Sequence, residues 1–437
     1  MTNISKKRLN KNMLDRTIAP PIKDAIDFNL QLKPYTKFTL DNGIEVYAID
    51  AGAEEVLQVE WIFSAGNWYE DQNMIAASTN YLLKSGTSTK TAFEINDHFE
   101  YYGSYLNRAA HNETAGLSLH CLNKHIAALL PVIAELITDS AFPEDEIQLY
   151  KQNNKQRLAV SLKKSEFVAG RLIDEYVFGI DHPYGKYSTA AAYDALNSQQ
   201  LQAFYNEHYK QSKYIIFIAG KLPKDIQSQL NRNFGQTSIH KTAREKTHQI
   251  ISSAQKKYRI INDNEGVQGS IRMSRTFPNR HHPDFTNSTV LNNLFGGFFG
   301  SRLMSNIRED KGYTYGIHSY IQNHQHEGAW MVSTEAGRDV CEATIQEVYK
   351  EMDILRNKLV KDDELLLVKN YMLGSVLGDL DGPFHIIAKW KNIILNSLPQ
   401  SYFYDSVAAI KSVSAEQLRE LANKYFVPAD FYELVVI

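Results

Sequence analysis

Residues 196–222 read LNSQQLQAFYNEHYKQSKYIIFIAGKL, and residues 413–437 read VSAEQLRELANKYFVPADFYELVVI. In each stretch a serine precedes a helix-forming run that contains Gln-Leu, an aromatic residue lies near the end of that run, and a β-rich segment follows. The two stretches lie about 200 residues apart, which indicates a duplicated domain and not a short solenoid repeat. We therefore expect two matching α/β halves.

A second pair of segments extends this match outward from the two ends. The helical pattern FPEDEIQLYKQNNKQRL at residues 142–158 has its counterpart in LVKDDELLLVKNYMLGSVL at residues 359–377. Near the N-terminus, Pro20 and Pro21 disfavour a helix. The sequence predicts an extended arm at residues 1–35 and a first domain at residues 36–222. A polar linker with room for one short helix follows at residues 223–257, and a second domain spans residues 258–437.

Charge and cysteine content exclude several classes of protein. The chain has 47 Lys+Arg against 50 Asp+Glu, a formal net charge of -3, whereas a protein that binds duplex nucleic acid usually has a strong basic excess. We therefore expect no nucleic-acid partner. Cys121 and Cys341 have no CxxC neighbour, which excludes a zinc ribbon and a disulfide framework. We expect both thiols to pack as small apolar residues.

The distribution of apolar residues favours a protein without a membrane span. No stretch approaches the roughly 20 apolar residues of a transmembrane helix. The N-terminus is positively charged but has no apolar run long enough for a signal peptide. We expect a cytoplasmic protein if Met1 is the natural start, and a periplasmic one is the alternative if a signal peptide has been removed.

Three motifs together resemble the M16 metallopeptidases, the pitrilysin/insulinase family. They are SAGNWYE at residues 64–70 with IAASTNYLLKSGT at residues 75–87, HPYG at residues 182–185, and GGFFGSRLMSNIREDKGYTYG at residues 296–316. The resemblance covers about residues 38–437. It implies an α+β fold with two layers, in which each half is a mainly antiparallel sheet with helices on one face.

The same resemblance shows that the zinc site is degenerate. The family's motif is His-x-x-Glu-His on a helix, in which both His bind zinc and the Glu activates water. Counting back from Gly86-Thr87 puts these positions on Ala77, Asn80 and Tyr81, and counting from Phe142 puts the third zinc ligand on or next to Arg157. None of these side chains is suited to its role. We therefore expect no metal and no cofactor in this chain, and zinc in a partner subunit.

The second half keeps a different part of the family's site. In two-subunit members of the family, the chain without zinc often keeps an Arg and a Tyr seven residues apart, and Arg308 and Tyr315 have this spacing. Arg supplies a fork of N–H donors and Tyr a hydroxyl, and both can bind a peptide carbonyl whose oxygen gains charge during attack. Tyr313 is the competing candidate, because alternation along a strand would put it on the same face as Tyr315.

The resemblance implies the non-catalytic subunit of a heterodimeric M16 zinc peptidase that acts on peptides. A zinc-bearing M16 chain would be its partner, and the two chains would enclose a shared chamber. The alternative is an inert scaffold or a peptide-binding protein of the same fold. A third hypothesis is an independent hydrolase that uses His324 and His326.

Other polar groups are expected to be structural. We expect His111 with Glu113, and His324 with His326, to be exposed polar residues and not metal ligands. The glycine cluster of Gly296, Gly297 and Gly300 lacks phosphate-loop spacing and predicts a turn that allows close packing. Residues 104–122 are expected to form strands, and by resemblance they include the edge strand that pairs with peptide in zinc-bearing members. Whether that strand binds peptide here is open.

Overall fold

The computed structural model describes Thr17 and residues 23–239 and 246–437. The described part of the chain forms two sheets. The six strands of the first sheet are β1 (Thr36–Thr39), β2 (Glu45–Asp50), β3 (Val56–Phe63), β4 (Tyr105–Ala110), β5 (Ala115–Leu122) and β6 (Tyr214–Gly220). The five strands of the second are β7 (Lys257–Ile260), β8 (Gln268–Phe277), β9 (Thr314–Asn323), β10 (Gly328–Gly337) and β11 (Tyr432–Val436).

The two sheets have the same topology. Their strand orders are β1-β2-β6-β3-β5-β4 and β7-β11-β8-β10-β9. In each sheet a single parallel pair, β2 with β6 or β7 with β11, accompanies otherwise antiparallel pairing. Strand β1 is the only addition in the described first sheet, so the predicted duplication and the mainly antiparallel sheets are confirmed.

Fourteen α-helices connect these strands in the described residues. Those of the first half are α1 (Ile75–Leu82), α2 (Ala92–Tyr101), α3 (Ile126–Asp139), α4 (Glu144–Ser161), α5 (Ser165–Phe178), α6 (Ala190–Ala195), α7 (Ser198–Tyr205) and α8 (Ile226–Phe234). Those of the second half are α9 (Phe285–Asn292), α10 (Cys341–Asn357), α11 (Asp362–Gly378), α12 (Pro383–Leu395), α13 (Tyr402–Ser412) and α14 (Ala415–Tyr425). None of these helices is both long and apolar enough to cross a membrane.

Local sequence explains where several helices begin. Helix α2 starts at a capping box in which the Thr91 side chain accepts the Glu94 N–H and the Glu94 side chain accepts the Thr91 N–H. Helix α14 starts in the same way with Ser414 and Gln417. Each box satisfies two backbone donors that a helix otherwise leaves unpaired at its N-terminus.

Two helices cross between the halves, and the sequence did not predict this exchange. Helix α5 of the first half packs on β8 and β11 of the second sheet, and α12 of the second half packs on β2 and β6 of the first. Ile173 and Val177 of α5 belong to one apolar cluster with Leu434 and Val436. Each sheet is thus covered on one face by its own helices and on the other, in part, by a helix of the opposite half.

The described part of the predicted arm also ties the halves together. Leu30 and Leu32 are buried in the apolar core that includes second-half residues. The side chain of Trp390 donates to the Lys33 carbonyl at 2.8 Å, and Lys411 Nζ donates to the Phe28 carbonyl at 2.9 Å. Residues 23–35 therefore lie against α12 and α13, while Pro20 and Pro21 lie outside the described residues.

The segment predicted as a linker is partly integrated into the first half. Leu230 and Phe234 of α8 are buried in the first core. Further along, Trp68 Nε1 donates to the Lys246 carbonyl at 3.1 Å, so the chain lies against the first half again on its way to β7. Residues 240–245 lie outside the described residues.

A buried carboxyl at the joint between the halves makes the stability of the protein depend on pH. Asp174 of α5 accepts a hydrogen bond from Gln322 Nε2 of β9 at 3.2 Å, and burial raises its pKa to about 7. Because the folded pKa lies above the unfolded one, Asp174 contributes stability at low pH that is lost as pH rises through about 7.

We expect Asp174→Asn to gain stability relative to the parent as pH rises from 5 to 9. The neutral amide keeps an acceptor for Gln322 and does not ionise, and one pKa unit corresponds to about 1.4 kcal/mol, so the gain is on the order of a few kcal/mol. Denaturant unfolding at both pH values measures it. Glu166→Gln, at an exposed carboxylate of the same helix, is the control. An equal difference between parent and Asp174→Asn at both pH values would contradict the prediction.

Candidate functional site

Helix α1 carries Ala77, Asn80 and Tyr81, the three positions that the resemblance predicts for the zinc motif. Its first turn is capped by Glu70, whose carboxylate accepts N–H groups from Met74 at 3.3 Å and Ala76 at 3.0 Å. Burial raises the pKa of Glu70 to about 7. Ala77 lies beside a cavity of about 300 Å³ that Glu70, His111 and other residues also line.

Asn80, at the position of the motif's general base, has a packing role. It is 2% exposed, and its Nδ2 donates to the Gly116 carbonyl and to the Tyr209 hydroxyl, both at 3.2 Å. These bonds join α1 to β5 and to the helical turn after α7. A buried amide engaged in this way neither accepts a proton from water nor reaches solvent.

Tyr81, at the position of the second His, lies under an arginine. The Arg108 guanidinium of β4 is 4.5 Å from the centroid of the Tyr81 ring, and it also donates to the Tyr81 carbonyl. On another side the Tyr150 ring of α4 is 4.9 Å from the Tyr81 ring, and Ser78 Oγ donates to Tyr150 OH at 3.1 Å. The Tyr150 ring and the Arg108 guanidinium therefore contact Tyr81, which is otherwise 45% exposed.

This environment is electropositive. Lys84 follows α1, and burial together with the nearby Arg108 charge lowers its pKa to about 8. No ion pair between Arg108 and a carboxylate occurs within the described ranges. The residues present do not fit zinc, since they offer a cation where the motif would place a metal, and the described part of the chain holds no group of three His, Cys, Asp or Glu side chains placed to bind one.

Arg108 is the residue that sequence reasoning missed here. Counting along the chain put the third zinc-ligand position on or next to Arg157, which lies exposed on α4, whereas Tyr150 of the same helix contacts Ser78 and Tyr81 of α1. Arg108 is distant from the motif in sequence, and only the packing of β4 against α1 brings the two together. The one sequence feature that could have pointed to Arg108 is its position in the predicted edge strand, which by resemblance lies next to the site.

The second part of the candidate site lies on the helical turns Met304–Asp310 and on the strand that comes after them. These turns end at Asp310, and Gly312 adopts φ 66°, the left-handed conformation that glycine tolerates and that ends a helix. Strand β9 then begins at Thr314. Gly296 shows why the preceding turn needs glycine, because a Cβ there would lie 2.7 Å from Ser319 Cβ of β9. The prediction of close packing at this turn is confirmed.

Arg308 is held in place by three contacts. Its Nε donates to the Tyr315 carbonyl at 3.0 Å, its guanidinium lies 4.7 Å from the centroid of the Phe299 ring, and Nη1 is 3.7 Å from Glu309 Oε1. Phe299 is itself 62% exposed. This contact was missed at the sequence level, although Phe299 belongs to the same glycine-rich stretch.

Tyr315 and Tyr313 differ in environment, contrary to the prediction of a shared face. The Tyr315 ring is 94% exposed. Tyr313 precedes β9 and packs half-buried against the second core. Because a packed ring is already engaged, Tyr315 is the tyrosine available to a ligand, and its backbone carbonyl is the atom that contacts Arg308.

A cluster of aromatic and imidazole rings lies at the joint between the halves. The His324 ring stacks 4.0 Å from Tyr184, and Glu113 accepts hydrogen bonds from Tyr184 OH and from the Gln325 N–H. Glu113 is buried and His324 half-buried, so the prediction that both are exposed is wrong, because the two halves meet on them. His111 and His326 are exposed as expected.

The cluster is structural. Burial, with His248 as the next cause, lowers the pKa of His182 to about 4, so this ring is neutral at ordinary pH. His326 stacks 3.9 Å from the Trp68 ring. Stacked rings from both halves therefore join the two halves at this place.

Comparison with known proteins finds matches to the sequence of this chain and to its fold. Residues 195–372 match the family model described as Peptidase M16 inactive domain. The uncharacterized zinc protease YmxG of Bacillus subtilis is 21% identical over 406 residues, 92% of this chain and 97% of the relative. A probable mitochondrial-processing peptidase subunit beta of Arabidopsis thaliana is 22% identical over 420 residues, 90% of this chain and 76% of the relative.

A solved structure has the same fold over nearly the whole chain. The crystal structure of a peptidase M16 inactive domain from Pseudomonas fluorescens superposes with a TM-score of 0.83 at 23% identity. The match covers 92% of this chain and 98% of that one. The duplicated sheets are therefore an arrangement that a related chain has in a crystal.

Proposed function

We propose that this chain, a member of the M16 peptidase family, is the non-catalytic subunit of a two-chain zinc peptidase. The observation that carries the proposal is the contrast between its two sites. The position of the zinc motif has no zinc-binding side chain and lies beside the Arg108 guanidinium, whereas Arg308 is anchored and Tyr315 is exposed. A chain that had lost all contact with substrate would have no need of the second site.

The first site supports the loss of independent activity. Arg108 brings a positive charge next to Tyr81, and Asn80 is buried and hydrogen-bonded. Zinc needs neutral imidazoles or carboxylates as ligands and an open position for water. The chemistry of peptide hydrolysis is therefore assigned to a zinc-bearing M16 partner.

The second site supports a contribution to substrate binding. The Phe299 ring and the Tyr315 carbonyl orient the guanidinium of Arg308, while its only ion pair in the described residues, to Glu309, is long at 3.7 Å. An oriented guanidinium has further N–H donors for a carbonyl oxygen that gains negative charge. The exposed phenol of Tyr315 adds a hydroxyl donor. In the proposed dimer both groups extend into a chamber that the two chains share, and the substrates are peptides small enough to be enclosed.

The name of one relative is consistent with a paired arrangement, since it is described as a subunit of a processing peptidase. The structure adds a physical reason for a stable two-half subunit. Helices α5 and α12 are exchanged between the halves, so the chain forms one wall that does not depend on the partner for its core.

The test is peptidase activity on quenched peptides with this chain alone, with a zinc-bearing M16 chain of the same organism alone, and with the two mixed. We expect activity in the mixture that exceeds the sum of the separate chains, because each chain supplies a part of the site. Activity from this chain alone would refute the proposal. A stable complex with no gain in activity would favour the scaffold.

A further inference from the structure

A cavity of about 470 Å³ lies in the second half, between α11, α12 and α13. It is separate from both parts of the candidate site and has no role in the proposed peptidase. Its volume is within the range of pockets that bind small molecules. Its lining combines one apolar wall with one positive end.

The positive end is the guanidinium of Arg280. One of its N–H groups donates to Asn392 Oδ1. The Nε atom is buried and has no hydrogen-bond partner among residues 23–239 and 246–437, and no carboxylate there lies within ion-pair distance of the guanidinium. Because the guanidinium of Arg280 lines the cavity with no carboxylate beside it, an anionic ligand in the cavity would supply the missing opposite charge.

The other polar groups of the cavity leave this charge uncompensated. Lys389 is paired with Asp379 at 2.6 Å, so these two contribute no net charge. Tyr402 also lines the cavity, and its phenol is a second donor there; His385, Asn392 and Ser406 are the further polar lining residues. Among the Lys, Arg, Asp and Glu side chains that line the cavity in the described part of the chain, Arg280 is thus the one without an opposite charge beside it.

The remaining wall is apolar. It is formed by side chains of α9, α12 and α13, namely Phe285, Ile393, Phe403, Val407 and Ile410. Such a surface favours a hydrocarbon or aromatic group over water, by about 25 cal/mol for each Å² that is buried.

We propose that this cavity binds a small monocarboxylate with an apolar body about the size of one ring. The carboxylate accepts from Arg280 and Tyr402, and the body packs on the apolar wall. A single negative charge matches the one unpaired guanidinium, whereas a phosphate dianion would bring an excess charge into an apolar slot. The match of charge and wall assigns the class of ligand and not its identity.

The test is calorimetric titration with 3-phenylpropionate and with 3-phenylpropanamide, which has a similar shape and no charge. We expect the acid to bind at least about tenfold more tightly than the amide, since a charge-assisted hydrogen bond contributes roughly 1.5–3 kcal/mol. Arg280→Met should reduce binding of the acid to the level of the amide. Ser406→Trp, which fills the cavity and keeps Arg280, should abolish both.

The controls separate binding from folding. Arg157→Gln removes an exposed arginine of the first half and should leave binding unchanged, and thermal unfolding of each variant shows whether it is folded. Equal affinity for acid and amide, acid binding that survives Arg280→Met, or no heat with either ligand at millimolar concentration would each overturn the proposal. Because the cavity is lined by none of the residues of the proposed peptidase contacts, failure of the cavity to bind a carboxylate would leave that function untouched.

Discussion

We expect replacement of Arg308 by Ala to lower kcat/KM of the proposed two-chain peptidase by about 10²–10³-fold, with little change in assembly. The magnitude is that of removing one preorganised donor from an oxyanion site. The structure gives the reason for preorganisation, since the Phe299 ring and the Tyr315 carbonyl hold the guanidinium before substrate binds. Steady-state kinetics of the mixed chains, with size-exclusion chromatography of the complex, measures both quantities.

Matched variants separate the donor role from charge and from packing. Arg308→Lys keeps the charge but has no rigid fork of donors, so we expect it to recover only a small part of the loss. Glu309→Gln removes the neighbouring acid of the 3.7 Å ion pair and should leave kcat/KM within about a few-fold, because an exposed ion pair contributes little. An assembled Arg308→Ala complex with the parent's kcat/KM would show that Arg308 does not contact the reacting group.

Local patterns in the sequence predicted most elements of this fold. Asn-Gly favours the tight turn found at Asn42-Gly43, Thr91 with Glu94 three residues later favours the capping box of α2, and glycine favours the helix stop found at Gly312. Each depends on residues within a few positions of one another, so the sequence alone determines it. The repeated ending of the two halves predicted the repeated sheet topology for the same reason.

What the sequence did not predict depends on packing between distant segments. Three features depend on contacts between segments that are far apart in the sequence. They are the exchange of α5 and α12, the burial of Glu113 and the position of Arg108 over Tyr81. Counting from a motif gives positions along one helix, but it does not show which side chains of other elements contact them, as Arg108 and Tyr150 show for Tyr81. In the candidate site, Ala77, Asn80 and Tyr81 were predicted from the sequence, whereas the side chains around them could not be.

The second large effect that we expect concerns the influence of the Arg108 charge on zinc binding at the predicted motif positions. A variant with Ala77→His and Tyr81→His has two imidazoles one turn apart, the spacing of a zinc-binding helix. We expect it to bind zinc weakly, because the Arg108 guanidinium lies against position 81. At an effective dielectric constant of about 20, two unit charges about 4 Å apart repel by roughly 4 kcal/mol, and zinc carries twice the unit charge.

Adding Arg108→Ala to the two histidines should therefore raise zinc affinity by at least about 100-fold, since about 1.4 kcal/mol corresponds to a factor of ten. Competition with a chromophoric chelator measures the affinity of both variants. The control adds Arg157→Ala instead, which removes the arginine that sequence counting selected and should change nothing. If Arg157→Ala gives the larger gain, the counting along α4 was right and the contact between Arg108 and Tyr81 does not determine metal exclusion. If neither substitution matters, zinc is excluded by the shape of the site around Tyr150 and not by charge.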